Sequence, residues 1–189
     1  SYLASPGGKG ANQATAAARA GADIAMVGCV GDDGFAALAV DTMRASCVDT
    51  DAIATVAHPT ACATISVDKG GENSIVVASG ANLSTHAAQV PDSWLGPSTL
   101  LLMQMEVMLE ENWALLERAH AKGTRTALNV APAALVPDTA LGQLDFLFVN
   151  NIEGAAIAAA CGMEMGQPEN LPHQLSDRYG PVSYTHLRA

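Results

Sequence analysis

Residues 7–12, with the sequence GGKGAN, combine three kinds of polar group at the start of a predicted helix. Gly7 and Gly8 favour a tight turn, Lys9 contributes an ammonium group and Asn12 a carboxamide. The helix start adds backbone N–H groups that have no intrahelical acceptor, together with the positive end of the helix dipole. This combination favours binding of a polyhydroxylated or anionic small molecule. A purely structural turn is the alternative.

The segment differs from two common glycine motifs that bind phosphate. A P-loop has four residues between its glycines and a Ser or Thr after its lysine, whereas Lys9 directly follows Gly8 and precedes Gly10. A dinucleotide fingerprint has a third glycine where Gln13 stands. The segment is therefore a candidate binding site of another kind.

Further polar side chains follow the predicted strands in the second half of the chain. Gln104 and Glu106 lie at the end of one strand, Asn129 ends another, and Asn150 and Glu153 follow a third. Ligands of an open parallel sheet bind at the carboxyl ends of its strands. Each of these residues alone is equally consistent with a helix cap or a solvated loop position. Their common placement at strand ends favours a binding site.

The elements that would position these residues follow from apolar runs, glycines and capping residues. The sequence of the first half predicts helices at residues 11–20 and 34–46, with a buried strand between them at residues 23–29. Asp32 or Asp33 is predicted to cap the second helix. Three short strands follow, at residues 52–56, 61–67 and 74–78. We interpret them as one antiparallel element, with a hairpin turn at Asp68-Lys69-Gly70-Gly71.

Strands and helices alternate in the second half. The strands are predicted at residues 100–105, 126–129 and 146–149, and the helices at residues 110–122 and 153–161. Such alternation implies right-handed crossovers and a parallel sheet with helices on its faces. The fold class is therefore α/β, with a doubly wound, mostly parallel sheet and a small antiparallel β element.

Composition narrows the function further. Nine basic and nineteen acidic residues give a net charge of −10, which disfavours a nucleic-acid partner. There is no run of eighteen apolar residues and no secretory leader pattern, so we expect a cytoplasmic protein without a membrane partner. The four cysteines have neither C-x-x-C spacing nor a zinc pattern, and we expect buried, reduced thiols.

Residues 5–31, SPGGKGANQATAAARAGADIAMVGCVG, resemble the first signature of the PfkB carbohydrate kinases, and GGKGANQA resembles the ribokinase branch of that family. Further matches follow in the family's order. They are GDDG at residues 31–34, SGAN at 79–82, LLMQME at 101–106, ALNVAPA at 127–133 and an N-x-x-E box at 150–153. The resemblance extends over residues 5–180.

The resemblance implies an ATP-dependent sugar kinase, with Mg²⁺ and a monovalent cation such as K⁺ as activators. Phosphoryl transfer from ATP to the 5-hydroxyl of D-ribose is the activity that it implies. It assigns sugar binding to six residues, namely Gly8, Lys9, Gly10, Ala11, Asn12 and Glu106. It also implies that Asn150 binds the nucleotide phosphates and that Glu153 binds the metal. The strands within residues 52–80 would form a lid over the sugar. A homodimer of the full-length protein is a further implication.

One part of the family pattern does not occur in this sequence. The D-T-x-G-A-G-D motif, which supplies the aspartate base, is absent, as are the loops for the nucleotide base and the monovalent cation. The family's first strand, with its sugar-binding Asn and Asp, is also absent. We therefore expect an incomplete and inactive chain, with no catalytic residue of its own.

Three functions therefore remain open. The first is phosphorylation of ribose, and the second is phosphorylation of another sugar or a nucleoside by a kinase with the same motifs. The third is a non-catalytic sugar-binding chain. We interpret residues 1–182 as a partial α/β domain. The tail SYTHLRA at residues 183–189 resembles translated adapter sequence and is assigned no structure.

Overall fold

A computed structural model describes residues 3–163, 170–180 and 183–186. These residues form two compact units that divide between Gln89 and Val90. No helix among the described residues has the length and apolar character needed to cross a membrane.

The first unit begins with a small parallel α/β arrangement. Its elements are α1 (Lys9–Arg19), β1 (Gly28–Gly31), α2 (Gly34–Ala45) and β2 (Ile53–Val56). β1 and β2 are parallel, with Gly28 opposite Ile53 and Gly31 opposite Val56. Both helices supply the core of this unit, which contains Ala14, Val40, Met43 and Val48. Small alanine side chains on α1 permit this close packing.

The strand predicted at residues 23–29 is shorter than expected and begins only at Gly28. Ala25 forms an isolated bridge to Asp49. The Ile53 amide then donates to the Thr50 carbonyl, and this turn interrupts the pairing between residues 49–53 and the segment before β1. The residues before Gly28 are extended and apolar, but they lack a continuous partner strand.

A hairpin of β3 (Cys62–Val67) and β4 (Asn73–Ala78) follows. Its strands are antiparallel, with Cys62 opposite Ala78. The predicted turn is confirmed, because Asp68 Oδ1 accepts the amides of Gly70 and Glu72 at 2.7 and 3.0 Å. The antiparallel assignment of residues 52–56 is wrong, since β2 pairs in parallel with β1. Three-ten helices at Gly80–Ser84 and Ala87–Gln89 complete the unit.

The second unit contains a four-stranded parallel sheet in the order β5-β6-β7-β8. Its strands are β5 (Leu100–Gln104), β6 (Arg125–Asn129), β7 (Phe146–Val149) and β8 (Ser183–His186). The helices are α3 (Leu109–Ala121), α4 (Asp138–Leu141), α5 (Asn151–Ala160) and α6 (Leu171–Tyr179), with a three-ten turn at Asp92–Trp94. The core between sheet and helices includes Leu116, Leu128, Leu147 and Leu175, none of which is exposed to solvent. The parallel α/β class with a small antiparallel sheet is confirmed.

The tail at residues 183–189, to which the sequence analysis assigned no structure, includes one strand. Ser183–His186 form β8, which pairs in parallel with β7 from Phe146 to Val149. A tail sequence that resembles no family motif can still supply backbone N–H and C=O groups to an open sheet edge. Residues 187–189 lie outside the described residues.

The cysteine expectation is only half correct. All four cysteines are free, and Cys29 and Cys161 are buried, but Cys47 and Cys62 are exposed. Cys62 begins β3, where every residue faces solvent. Cys47 has φ of +63° in the turn that ends α2, and a turn at a helix end places its side chain at the surface.

Candidate functional site

The GGKGAN segment forms the entry to α1. Gly8 is the N-cap with φ of +99°, a backbone conformation that favours glycine, and no side chain caps the helix. A Cβ at Gly8 would meet no atom within 4 Å, so the glycine is required by its dihedral angle rather than by crowding. The helix begins at Lys9, two residues earlier than predicted.

This earlier start changes how the segment presents its side chains. Lys9 and Asn12 are three residues apart within the first turn, so they are neighbours on one face of α1. Asn12 is exposed, and its amide makes the first helical bond, to the Gly8 carbonyl at 2.9 Å. The backbone amides that precede Asn12 in the helix have no intrahelical acceptor. The half-buried Lys9, the exposed Asn12 carboxamide and the helix start therefore lie within one turn of the first unit.

In the second unit, Gln104 and Asn129 end adjacent parallel strands and are directly bonded. The Asn129 carboxamide donates to Gln104 Oε1 at 3.0 Å, and Asn129 is only 8% exposed. Gln104 stands opposite Asn129 in the β5–β6 register. Glu106, two residues beyond β5, is half-buried. The two strand ends are thus held together beside the segment that carries Glu106.

Asn112 in α3 also bonds to the end of β5, a contact that the sequence did not indicate. Its carboxamide donates to the backbone carbonyl of Gln104 at 2.6 Å, and the residue is 7% exposed. An asparagine in the first turns of an acidic helix is typical of a solvated surface position. The contact depends on tertiary packing of α3 against β5.

Asn150 and Glu153 form a reciprocal capping box at the start of α5. Asn150 Oδ1 accepts the Glu153 amide at 2.9 Å, while Glu153 Oε2 accepts the Asn150 amide at 2.8 Å. This confirms the helix-cap reading of both residues. The box leaves Asn150 Nδ2 and Glu153 Oε1 outside these two bonds.

The parallel register places the candidate residues of the second unit along one sheet edge. β5, β6 and β7 are neighbours in the sheet, and Glu106, Asn129 and Asn150 lie at or just beyond their carboxyl ends. Within this edge, the structure brings Gln104 into contact with Asn129, and Asn150 with Glu153. Residues 8–12 belong to the first unit. In the part of the chain that the structure describes, no group of three acidic, His or Cys side chains is arranged to hold a metal ion.

Asp33 has the helix-start role predicted for it. Its Oδ1 accepts the amides of Phe35 and Ala36 at 2.9 and 3.2 Å. Its Oδ2 accepts the Thr60 amide at 2.7 Å, a contact that the sequence did not indicate. The hydrogen bond from the Thr60 amide is the main reason why the pKa of this carboxyl lies below its usual range, with the α2 amides adding to it.

Comparison with known proteins agrees with these features. A family model described as pfkB family carbohydrate kinase matches residues 1–179. The ribokinase of Haemophilus influenzae is 36% identical over 172 residues, covering 89% of this chain and 55% of that protein. The ribokinase of Bacillus subtilis is 33% identical over 159 residues, covering 83% and 54% respectively. The chain thus spans about half the length of the curated relatives it matches.

Solved structures show the same fold. The ribokinase of Thermotoga maritima has a TM-score of 0.81 at 27% identity, covering 94% of this chain and 59% of that chain. The ribokinase of Cryptococcus neoformans var. grubii in complex with ADP has a TM-score of 0.64 at 30% identity, covering 91% and 55%. The resemblance stated from the sequence motifs is confirmed. The chain belongs to the pfkB family of carbohydrate kinases.

Proposed function

We propose that the protein of which this chain is part transfers the γ-phosphoryl group of ATP to the 5-hydroxyl of D-ribose. The observation that carries the proposal is the GGKGAN helix entry, where Gly8 at φ of +99° places Lys9 and Asn12 on one face of α1. The relatives named ribokinase at 33–36% identity support the choice of ribose. ATP and a free sugar as substrates suit a cytoplasmic location.

The sugar site would use direct hydrogen bonds to hydroxyl groups. Lys9 and Asn12 supply donors and an acceptor on the first turn of α1. Gly8, Gly10 and Ala11 present little side chain to obstruct approach to the backbone. Glu106 supplies an anionic acceptor, and hydrogen bonds to a charged partner are among the strongest. A site that pairs sugar hydroxyls in this way rejects analogues that lack them.

The nucleotide site would use the α5 entry. Asn150 Nδ2 lies outside the capping box and can donate to phosphate oxygens, assisted by the positive end of α5. Glu153 Oε1 is a hard oxygen ligand of the type that Mg²⁺ takes, often through water, so the residue fits a Mg²⁺ role. Mg²⁺ would neutralise phosphate charge during phosphoryl transfer. We place the activating monovalent cation outside the present 189 residues.

The catalytic base would also come from outside these residues, because D-T-x-G-A-G-D does not occur in the sequence. Neither Asp32 nor Asp33 is a substitute, since Asp33 is bonded to three backbone amides and Asp32 precedes it at the start of α2. The 189-residue chain alone is therefore expected to have no turnover above background.

A substrate panel on the full-length protein tests this function. ADP release measured by a coupled assay should require ATP and Mg²⁺ and should be fastest with D-ribose among ribose, fructose, 2-deoxyribose and adenosine. Faster turnover of a nucleoside or another sugar would replace ribose as the substrate and support the related-kinase alternative. The 189-residue chain, purified free of host kinases, serves as the inactive control. Ribose binding by calorimetry without turnover in either protein would favour the non-catalytic alternative.

We also propose that the full-length protein forms a homodimer through the hairpin. Large apolar side chains are exposed on one face of its two strands, with Ile65 at 59% and its cross-strand partner Ile75 at 54% exposure. Exposed apolar patches of this kind commonly mark interaction surfaces. Sedimentation should give the mass of two chains, and Ile75→Asp, on the apolar face, should shift it to one. A single-chain mass for the unaltered protein would contradict this assembly.

A further inference from the structure

Both faces of the β3–β4 hairpin are exposed in the part of this single chain that the structure describes. All twelve residues of its two strands are exposed. Burial against a neighbour normally sets the orientation of a two-stranded ribbon, and a two-stranded ribbon alone is marginally stable. Within one chain, contacts at its two ends, at residues 58–61 and 79–84, therefore set its orientation, and a second hairpin in the proposed dimer would pack against strands already held in this direction.

The first end is held by the turn between β1 and α2. The Thr60 amide donates to Asp33 Oδ2 at 2.7 Å, and the Gly31 amide donates to Thr60 Oγ1 at 2.9 Å. Thr60 is 7% exposed, so water competes little for these bonds. A single buried residue thus ties the start of the hairpin to both sides of the Gly31–Asp33 turn.

The second end is held to the first end and to β1. The Ala81 amide donates to the Pro59 carbonyl at 2.7 Å, and Ser84 Oγ lies 3.0 Å from His58 Nδ1. The thiol of Cys29 in β1 donates to the Ser84 carbonyl at 3.2 Å. The two ends of the hairpin are therefore bonded to each other, and Thr60 connects them to the Gly31–Asp33 turn.

Backbone approaches backbone closely at this connection. A Cβ on Gly31 would lie 2.6 Å from both the His58 carbonyl oxygen and the Thr60 nitrogen. A Cβ on Gly80, whose φ is +46°, would collide with the Pro59 carbonyl oxygen. The absence of side chains at both positions brings the hairpin ends within reach of the Asp33 carboxylate.

We infer that Asp33 is a positioning residue that sets the direction of the β3–β4 hairpin through the Thr60 amide. One carboxylate serves two elements, since Oδ1 caps α2 and Oδ2 holds the hairpin. The consequence for ribose rests on the proposed function and on the lid over the sugar that the family resemblance implies for this hairpin. A hairpin that is directed in advance needs less ordering when the sugar binds, which favours affinity.

Asp33→Ser in the full-length protein separates the two contacts. Serine caps a helix about as well as aspartate, but its shorter side chain does not reach Thr60. We expect amide exchange at Thr60 and Ala81 to accelerate about tenfold in ligand-free protein, with α2 unchanged, since a hydrogen bond to a charged group is lost. The KM for ribose should rise about tenfold with kcat changed less than about twofold.

Asp32→Ser, at the exposed neighbouring position, is the matched control and should change neither quantity. Thr60→Val keeps the amide bond to Asp33 and should have a smaller effect than Asp33→Ser. Unchanged exchange at Thr60 and Ala81 in Asp33→Ser, or acceleration confined to α2, would overturn the inference. The exchange measurement needs no substrate, so it stands even if the panel replaces ribose by another sugar.

Discussion

Glu106→Ala in the full-length protein is expected to lower kcat/KM for D-ribose by about one hundredfold, because a hydrogen bond to a charged group contributes about 1.5–3 kcal/mol. The residue is half-buried just beyond β5, and the Gln104–Asn129 bond holds the neighbouring strand ends in place. Loss of the carboxylate should remove binding to the sugar hydroxyl while leaving the fold intact. Steady-state kinetics with ribose as the varied substrate would measure the effect.

Glu110→Ala provides the comparison for this variant. Glu110 is an exposed carboxylate in the first turn of α3, four residues further on and outside the proposed sugar contacts. It should keep kcat/KM within about twofold, since a surface charge of this type contributes little. Glu106→Gln should fall between the two, because its amide oxygen still accepts a hydrogen bond. Equal kinetics for Glu106→Ala and Glu110→Ala would remove Glu106 from the sugar site.

Asn150→Asp is expected to raise the KM for ATP by more than about tenfold while the protein remains as stable as before. Asp and Asn are comparable N-caps, so the bond to the Glu153 amide should persist. The new carboxylate would weaken ATP binding, since like charges about 4 Å apart repel by about 4 kcal/mol near a protein surface. Bound Mg²⁺ would offset part of that repulsion. Kinetics with ATP as the varied substrate, together with urea unfolding, would measure both effects.

Asn150→Ala separates the structural role from the nucleotide role. It loses the cap and should reduce the free energy of unfolding by about 1 kcal/mol, whereas Asn150→Asp should not. If Asn150 is only a cap, Asn150→Asp would keep the KM for ATP unchanged. That result would leave the capping box as the full explanation of the N-x-x-E motif and withdraw Asn150 from the nucleotide site.

Local signals in the sequence predicted most helices and strands of this fold. The hairpin turn at Asp68, the Asp33 cap and the strand at Phe146–Val149 depend on residues close to one another in the chain. Turn and cap chemistry of this kind is visible in sequence because few residue types satisfy it. Once the strands were predicted, the polar residues at their carboxyl ends could be placed together, because parallel strands end at one edge of the sheet.

Partners distant in the chain were not visible. The parallel pairing of β2 with β1, rather than with the hairpin, depends on which edge was available. The bonds from Asn112 to Gln104 and from Thr60 to Asp33 depend on tertiary approach that no local pattern indicates. The roles of Glu106, Asn150 and Glu153 likewise came from family resemblance, since geometry alone shows a strand-end carboxylate and a helix cap.

The uneven burial of the four thiols allows a fluorescent dye to be attached at the β3–β4 hairpin. Cys62 lies on the exposed first residue of β3, while Cys29 and Cys161 are buried. Maleimide dyes react with accessible thiols, so Cys47→Ser would leave Cys62 as the exposed labelling site among the cysteines of this chain. A dye at Cys62 lies at the end of the hairpin that joins residues 58–61, where a change of hairpin angle would alter its surroundings. Fluorescence at this position would report whether the hairpin changes its angle when ribose or ATP is added.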